Sequence, residues 1–563
     1  MTSHDYMQIA LYIAALIVLA PLLGSYMARV LRGDRHLLSA PLGWLERGIY
    51  RLAGVNPSED TPWKIYAWQL LLFNFFGFLV VFLLQMTQQW LPLNPQGLPA
   101  VSWHSSFNTA VSFMTNTNWQ GYGGEVTMSY LTQMLGLTVQ NFVSAATAIA
   151  VLLALVRGFT RKSTALVGNF WADLVRTTVY ILLPLSIVLS VALVGQGVVQ
   201  SFDSYQPVTT IERQEQILPL GPAASQIAIK QLGTNGGGFF NANSAVPYEN
   251  PTPFSNFLEM LAILLIPAAL TYTYGKLIAN QKQGWLIFGV MLLLYLGGLT
   301  VSLASEQYRN EALGIAANLE GKEVRFGVTN SVLWSTATTA ASNGSVNAMQ
   351  SSLTPLAGGV AMFNMMLGEI IFGGVGCGLY GMILFIMLTV FLAGLMVGRT
   401  PEYLGKKIEA REVKWVIVAI VAPSAVMLIL SGISAVVRPG LSSLAHAGPH
   451  GLSEILYAFA SGAGNNGSAF AGLNANTVYY NVLIGIAMLI GRFAVLLPVL
   501  AIAGYMGEKG IAPPSAGTFS TTGSVFAILL VGVILIVGAL TFIPALALGP
   551  MIEHFLMNAG QTF

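Results

Sequence analysis

The chain has little charge. Of 563 residues only 9% are Asp, Glu, Lys or Arg, against about 25% in an ordinary soluble domain. Some 55% are hydrophobic, and the mean hydropathy is +0.68. Lipid must therefore be the solvent for most of the chain. Cysteine is almost absent: Cys377 alone excludes an internal disulfide framework and any cysteine-rich metal site. The six histidines read as scattered, without ligand spacing. The net charge of +2 comes from basic residues spread among loops, with no patch carrying interleaved aromatics, so nucleic acid is not an expected partner. No Gly-x-x-x-x-Gly-Lys-Ser/Thr phosphate loop, no His-Glu-x-x-His metal site and no Asp-Lys-Thr-Gly-Thr phosphorylation motif occurs, so no bound nucleotide and no catalytic site are expected in this chain. Met1 to Asp5 carry no Lys or Arg, so the apolar run starting near Tyr6 lacks the basic region of a cleaved signal and is expected to stay as a helix.

What the chain has is long apolar runs. Runs of more than about 18 residues read as membrane spans, and ten are expected: 6–28, 66–90, 127–155, 177–199, 254–275, 285–304, 360–397, 415–437, 478–505 and 520–548. With both termini outside, the inner segments hold eighteen Lys and Arg and the outer segments six, leaving only Arg492 within a span. The positive-inside rule favours that orientation. The seventh run is too long for one straight crossing. Its Gly373-Gly374-Val375-Gly376-Cys377-Gly378 segment reads either as a close-packing glycine face or as an unwound stretch lining a cavity.

Between the spans lie four segments too short to cross and too apolar for ordinary loops. They begin at Ser102, Pro222, Asn330 and Ser453, and 13 or 14 residues later reach Asn116, Asn235, Asn343 and Asn466. That length makes a helix of about 18 Å, which goes only about halfway through a ~30 Å hydrocarbon core. The central asparagines are 119, 108 and 123 positions apart, so the chain reads as a fourfold repeat of span, half-helix, polar turn and span around one pore, in an all-α polytopic membrane protein. The expected organisation is one membrane domain, with an extra helix and inner loop over 1–65, repeats over 66–160, 175–282, 285–414 and 415–509, and an extra helix over 520–563.

These turns suit a filter for a small dehydrated cation. Replacing its water shell takes a ring of oxygens, which four loops of backbone carbonyls can provide. Successive carbonyls face one way only where some residues take left-handed dihedrals, which Gly adopts freely and Asn tolerates. Gly236, Gly344 and Gly467 each follow the central Asn, whereas Thr117 follows Asn116. Half-helices also aim their negative C-terminal ends at the pore, which favours a cation. No carboxylate ring stands in the turns, so an anion or a divalent ion fits worse.

The stretches Thr115 to Glu125, Gly233 to Ser244, Ser335 to Met349 and Gly464 to Gly472 closely resemble the potassium-binding, channel-like A subunit of the bacterial Kdp potassium-transporting ATPase, within a wider superfamily of potassium transporters. The resemblance implies a bacterial inner-membrane complex in which this subunit selects K⁺, a separate P-type ATPase subunit hydrolyses ATP, and two small membrane subunits complete the assembly. It puts the filter at Asn116, Thr234, Asn235, Gly236, Asn343, Gly344, Asn466 and Gly467, with Gln120 beside the first loop; Thr115, Thr117, Ser342 and Asn465 in the same turns complete the candidate site. It likewise implies an intramembrane gate at Gly373, Gly374, Gly376, Cys377 and Gly378, and sideways exit of the ion to the ATPase subunit. Glu369 and Arg492 read either as a structural ion pair or as groups shaping the field below the filter. Arg399 reads as an electrostatic block to cytoplasmic exit or as a plain inner-loop anchor, and Trp119 as an interfacial belt residue. An autonomous K⁺ channel or secondary transporter of the same superfamily is the alternative function.

Overall fold

The computed structural model describes residues 2–315, 318–513 and 519–562. Among them, ten helices are long and apolar enough to cross a membrane: Ser3–Arg32, Trp63–Trp90, Thr132–Thr160, Phe170–Gly195, Pro253–Leu277, Gln281–Glu306, Cys377–Met396, Ala410–Ser434, Val478–Glu508 and Ser524–Asn558. Local chemistry sets their ends. Thr2 caps the first span through Asp5, and Gly33 closes it in the left-handed conformation that Gly adopts without penalty. Thr252 and Ser255 form a reciprocal cap ahead of the fifth span, with Pro253 at its first position.

The expected seventh span is two helices. Pro355–Met366 ends, and Cys377–Val397 begins only after an intervening non-helical stretch. The break starts well before the glycine run and takes in Leu367, Gly368 and Glu369, while Gly378 already lies in the second helix. The unwinding is sustained by left-handed dihedrals at Gly368, Glu369, Phe372 and Gly376. A Cβ at Gly376 would fall 2.6 Å from the backbone of Ala148, so this glycine allows the stretch to lie directly on the third span.

Four short helices stand between the spans: Trp103–Met114, Ala223–Leu232, Gly327–Ala340 and Gly448–Ala463. The first two begin where the sequence signals them. The third and fourth begin earlier, at Gly327 and Gly448, ahead of Asn330 and Ser453; the fourth has Pro449 in its first turn, where the missing N–H costs nothing. Each short helix packs on the spans that flank it in sequence: the first on the second span, the second on the fourth and fifth, the third on the sixth and on Pro355–Met366, the fourth on the eighth and ninth. The first short helix also packs on the ninth span, and the fourth on Pro355–Met366, so neighbouring units interlock. The third, fifth and seventh spans are the most buried; the first, second, fourth, eighth and tenth leave most of their surface exposed, as the outer ring of a membrane bundle must. Strand is confined to three two-stranded pairs, the longest joining Gln206–Thr209 to Glu215–Leu218.

Candidate functional site

The four short helices end in one recurring structure. In each, a backbone N–H reaches back to the carbonyl five residues earlier: Thr117 to Ser112 at 2.8 Å, Asn235 to Lys230 at 2.9 Å, Asn343 to Thr338 at 2.9 Å and Asn466 to Ser461 at 2.8 Å. Bonds of this kind satisfy the orphan carbonyls of a helix end and need a left-handed residue. That residue is Asn116, Thr234, Ser342 or Asn465, with φ of 66°, 49°, 52° and 51°.

This shared geometry fixes the register of the repeat, and it differs by one residue from pairing the four central asparagines. Asn116 is equivalent to Thr234, Ser342 and Asn465; Thr117 is equivalent to Asn235, Asn343 and Asn466. Asn118 therefore occupies the place of Gly236, Gly344 and Gly467. Its φ of 54° matches that role, beside 71° at Gly236 and 100° at Gly467, and Asn is the residue after Gly that tolerates this region best. The first turn thus departs from the others by a side chain instead of by a missing flexible residue.

The four turns close into a ring through their side chains. Asn116 donates to the carbonyls of Gly233 (3.3 Å) and Thr234 (3.2 Å), and Asn235 donates back to Asn116 Oδ1. Asn343 donates to the Lys230 carbonyl at 3.0 Å, joining the third turn to the second. Ser342 donates to the carbonyls of Gly464 (2.8 Å) and Asn465 (2.9 Å), and Asn466 answers with a 3.0 Å bond to the Thr338 carbonyl. Asn465 closes the circle onto Thr117 Oγ1 at 3.0 Å. All of these side chains are buried.

The glycines tighten the same circle. A Cβ at Gly236 would lie 2.0 Å from the Gly344 nitrogen, one at Gly344 would lie 2.8 Å from the Asn466 carbonyl oxygen, and one at Gly467 would lie 2.0 Å from the Thr117 carbonyl oxygen. At the remaining junction Asn118 donates to the Gly236 carbonyl at 2.9 Å. Each turn thus presses on the next with no room for a side chain, except where a side chain makes the contact. Among the described residues, no donor reaches the carbonyl oxygens of Thr117, Asn235 or Asn466, so they are free to face a cation. Gln120 clasps Gly238 with its side-chain amide, Oε1 accepting from the Gly238 N–H at 2.7 Å and Nε2 donating to the Gly238 carbonyl at 3.1 Å.

Residues of the third span hold the ring from behind. Ser144 donates to Asn116 Oδ1 at 2.7 Å, and Asn141 accepts from Asn118 at 2.8 Å. Lys230, whose carbonyl anchors three donors of the second and third turns, sends its ammonium to Glu249 and to Asn243 Oδ1 (2.9 Å); both ends of the ion pair are fully buried. Lys322 is likewise buried against Glu306 at 2.9 Å. These two lysines counted as outer-segment charges in the sequence are therefore internal. Trp119 is also buried, within the same hydrophobic cluster as Met365 and Met488, and is not an interfacial belt residue.

The non-helical stretch of the seventh span touches the ring. The Val375 N–H donates to Thr234 Oγ1 at 2.8 Å. Arg492 reaches Cys377 Sγ at 2.6 Å and the Ser144 carbonyl at 3.3 Å, bridging the restart of the seventh span to the residue that holds Asn116. Glu369 and Arg492 line one cavity together with Asn465, Cys377 and Tyr380, and no ion pair joins them among the described residues. Gly373 and Gly374 pack around Glu369, and Gly378 packs against Gly373. Arg399 is exposed just beyond the C-terminal end of this helix.

Comparison with known proteins agrees with this architecture. The chain is 56% identical over 579 residues to the potassium-transporting ATPase potassium-binding subunit of Sorangium cellulosum, covering 99% of this chain and all of that one. It is 56% identical over 569 residues to the protein of the same name from Rhodospirillum centenum, covering 100% and 99%. The crystal structure of the potassium transporter TrkH from Vibrio parahaemolyticus shares the fold with a TM-score of 0.50 at 16% identity, over 75% of this chain and 83% of that one. With residues 10–555 matching the family described as potassium-transporting ATPase A subunit, the chain belongs to that family.

Proposed function

We propose that this chain is the subunit that selects K⁺ for an ATP-driven uptake pump, binding the ion in the ring of four turns and handing it to a partner ATPase subunit. The observation that carries the reading is the closed circle of turns, in which backbone is packed against backbone and carbonyl oxygens of Thr117, Asn235 and Asn466 are left without donors. Four helix C-termini converging on that circle favour a cation, and carbonyl oxygens in place of carboxylates favour a monovalent one. Thr115, Asn116, Thr117, Asn118, Thr234, Asn235, Gly236, Ser342, Asn343, Gly344, Asn465, Asn466 and Gly467 form the proposed filter, with Gln120 supporting it. Each repeat supplies a span, a half-helix, a turn and a span, with the first and tenth spans added outside.

The stretch from Leu367 to Gly376, Cys377 and Arg492 is the proposed gate, since it lines the cavity and also touches the ring through the Val375 bond to Thr234. The lysine and arginine distribution supports an orientation with both termini outside, in a bacterial inner membrane. Two small membrane subunits complete the proposed complex. Single occupancy follows from the shortness of each turn: one dominant tight K⁺ site, not a queue.

The test is K⁺-stimulated ATP hydrolysis by the purified complex, comparing the native chain with Gly236→Asp. A much higher K⁺ requirement in the variant places selection in this chain and catalysis in a partner. An unchanged requirement overturns the filter, and K⁺ flux through the chain alone, without an ATPase, favours the autonomous channel.

A further inference from the structure

The fourth short helix carries a second cluster of donors, remote from the ring. His446, His450 and Glu454 follow one another at intervals of four residues, a His-x-x-x-His-x-x-x-Glu pattern that brings three side chains to one face of a helix and its lead-in. The histidines are therefore not all scattered. One ligand atom from each of the three lies within 4.8 Å of the others. His446 Nδ1 is 2.6 Å from Glu454 Oε1, and the two imidazole rings stand edge to face with centroids 4.7 Å apart. His450 Nδ1 is 2.7 Å from Glu553 Oε1, on the C-terminal helix Ile552–Asn558.

Hydrogen bonding inside the cluster leaves one group unexplained. Glu454 is fully buried and its Oε2 has no partner among the described residues. A buried carboxylate oxygen without a donor is costly, and here it stands beside two imidazoles. The loop after the fourth turn closes over it: a Cβ at Gly472 would lie 1.9 Å from Glu454 Oε1 and 3.1 Å from His446 Nδ1, so only glycine lets the backbone come this near. His446 is 38% exposed and opens the cluster to a surface pocket lined by Leu441, Leu444 and Leu452.

We propose that His446, His450 and Glu454 bind a divalent transition metal, with Zn²⁺ the best match. Two imidazole nitrogens and one carboxylate oxygen are donors suited to Zn²⁺, whereas K⁺, Ca²⁺ and Mg²⁺ prefer oxygen alone. Tetrahedral Zn²⁺ with bonds of about 2.0–2.2 Å sets its donors about 3.4 Å apart, so the ion takes the place of the proton shared by His446 and Glu454 and draws in His450 by small side-chain movements. Glu553 holds the His450 ring through Nδ1, as a carboxylate does for a metal-bound imidazole. The ion would lock the C-terminal helix to the fourth short helix, and through the Phe470 ring stacked on His450 and Tyr457 it would stiffen the approach to the fourth turn.

The test uses the intact complex without an affinity tag. After dialysis against Zn²⁺ and removal of the excess, one tightly held zinc per chain is expected by elemental analysis, and Co²⁺ in its place is expected to give the intense visible absorption of a tetrahedral site. Glu454→Gln should abolish both. Because Glu454 is buried, His446→Ala is the second variant: it alters a half-exposed side chain and should lose the metal and the spectrum while keeping K⁺-stimulated ATP hydrolysis. Less than a tenth of an equivalent of zinc on the native complex, or equal zinc and the same Co²⁺ spectrum in both variants, overturns the site.

Discussion

The carbonyl oxygen of Thr117 lies 2.0 Å from where a Cβ would stand on Gly467, so the first and fourth turns meet with no space for a methyl group. Gly467 also has φ of 100°, a conformation other residues adopt only with strain. Gly467→Ala must push Thr117 aside or flatten the turn. Overpacking of this kind is worth about 1–3 kcal/mol. Placed on the K⁺-bound state, it weakens affinity by about five- to a hundredfold. Equilibrium K⁺ titration of the variant should show that loss, and native affinity would mean that Thr117 takes no part in holding the ion.

Asn118 separates two roles that Gly combines elsewhere in the ring. Asn118→Gly keeps the left-handed backbone and gives up the bonds to Gly236 and Asn141; Asn118→Ala gives up the bonds and adds strain at φ of 54°. Each neutral hydrogen bond contributes about 0.5–1.5 kcal/mol, so losing both in Asn118→Gly should raise the K⁺ requirement by about five- to 150-fold, and Asn118→Ala should raise it by more. Equal effects of the two substitutions would count against the assigned register.

The buried Lys230–Glu249 pair predicts a rescue. Glu249→Gln leaves an ammonium without its counter-charge beneath the second turn, and a broken buried pair costs about 3–5 kcal/mol. Both thermal stability and K⁺ selectivity should fall. Lys230→Met combined with Glu249→Leu removes both charges and should recover most of the stability, because well-packed apolar groups replace such pairs at little cost. A double variant no more stable than Glu249→Gln would show that the fold needs the charges themselves.

Glu46 predicts a pH effect away from the membrane core. It sits in the helix Ser39–Ala53 between the first and second spans; burial raises its pKa, but bonds from Tyr180, Arg176 and Tyr50 outweigh this and hold the carboxyl below its ordinary 4.5. A carboxyl depressed in the folded state lends stability above its unfolded value, and that stability is lost as pH falls through the folded one. The stability difference between the native chain and Glu46→Gln should therefore be full at neutral pH and shrink below 4.5. A difference that stays constant down the acid range would remove the carboxylate from the account.

Spans were legible in the sequence because lipid forces a long apolar run on each of them. The half-helices were legible because polar Asn-Gly turns interrupt shorter runs. The register of the first turn was not, since the asparagines of Thr115-Asn116-Thr117-Asn118 draw the eye while the helix-end bonds give the place of Asn235, Asn343 and Asn466 to Thr117 between them. Nor was the extent of the break in the seventh span: the glycines drew attention to 373–378, whereas Leu367 and Glu369 unwind without a sequence signal beyond Gly368. Burial of Lys230, Lys322 and Trp119 was equally hidden, because it depends on how the segments fold back on one another: Glu249 meets Lys230 and Glu306 meets Lys322 across intervening turns and loops. The histidine pattern was present in the sequence, but only the shared helix face makes it a cluster.

Arg492 gives the test that links ring and gate. Its guanidinium spans from Cys377, where the seventh span resumes, to the carbonyl of Ser144, whose hydroxyl holds Asn116. A charge inside a membrane span is expensive and is kept where it acts. Lys in this place would keep the charge but lose the fork that reaches two partners at once. Arg492→Lys should therefore leave K⁺ binding nearly intact while slowing transport, and Arg492→Met should impair both, as Ser144 and Asn116 lose their support. Binding is read by equilibrium titration and transport by K⁺-stimulated ATP hydrolysis together with ion uptake into vesicles. Equal loss of binding and transport in the Lys variant would mean that Arg492 serves the ring alone; native transport in both variants would leave it a structural anchor.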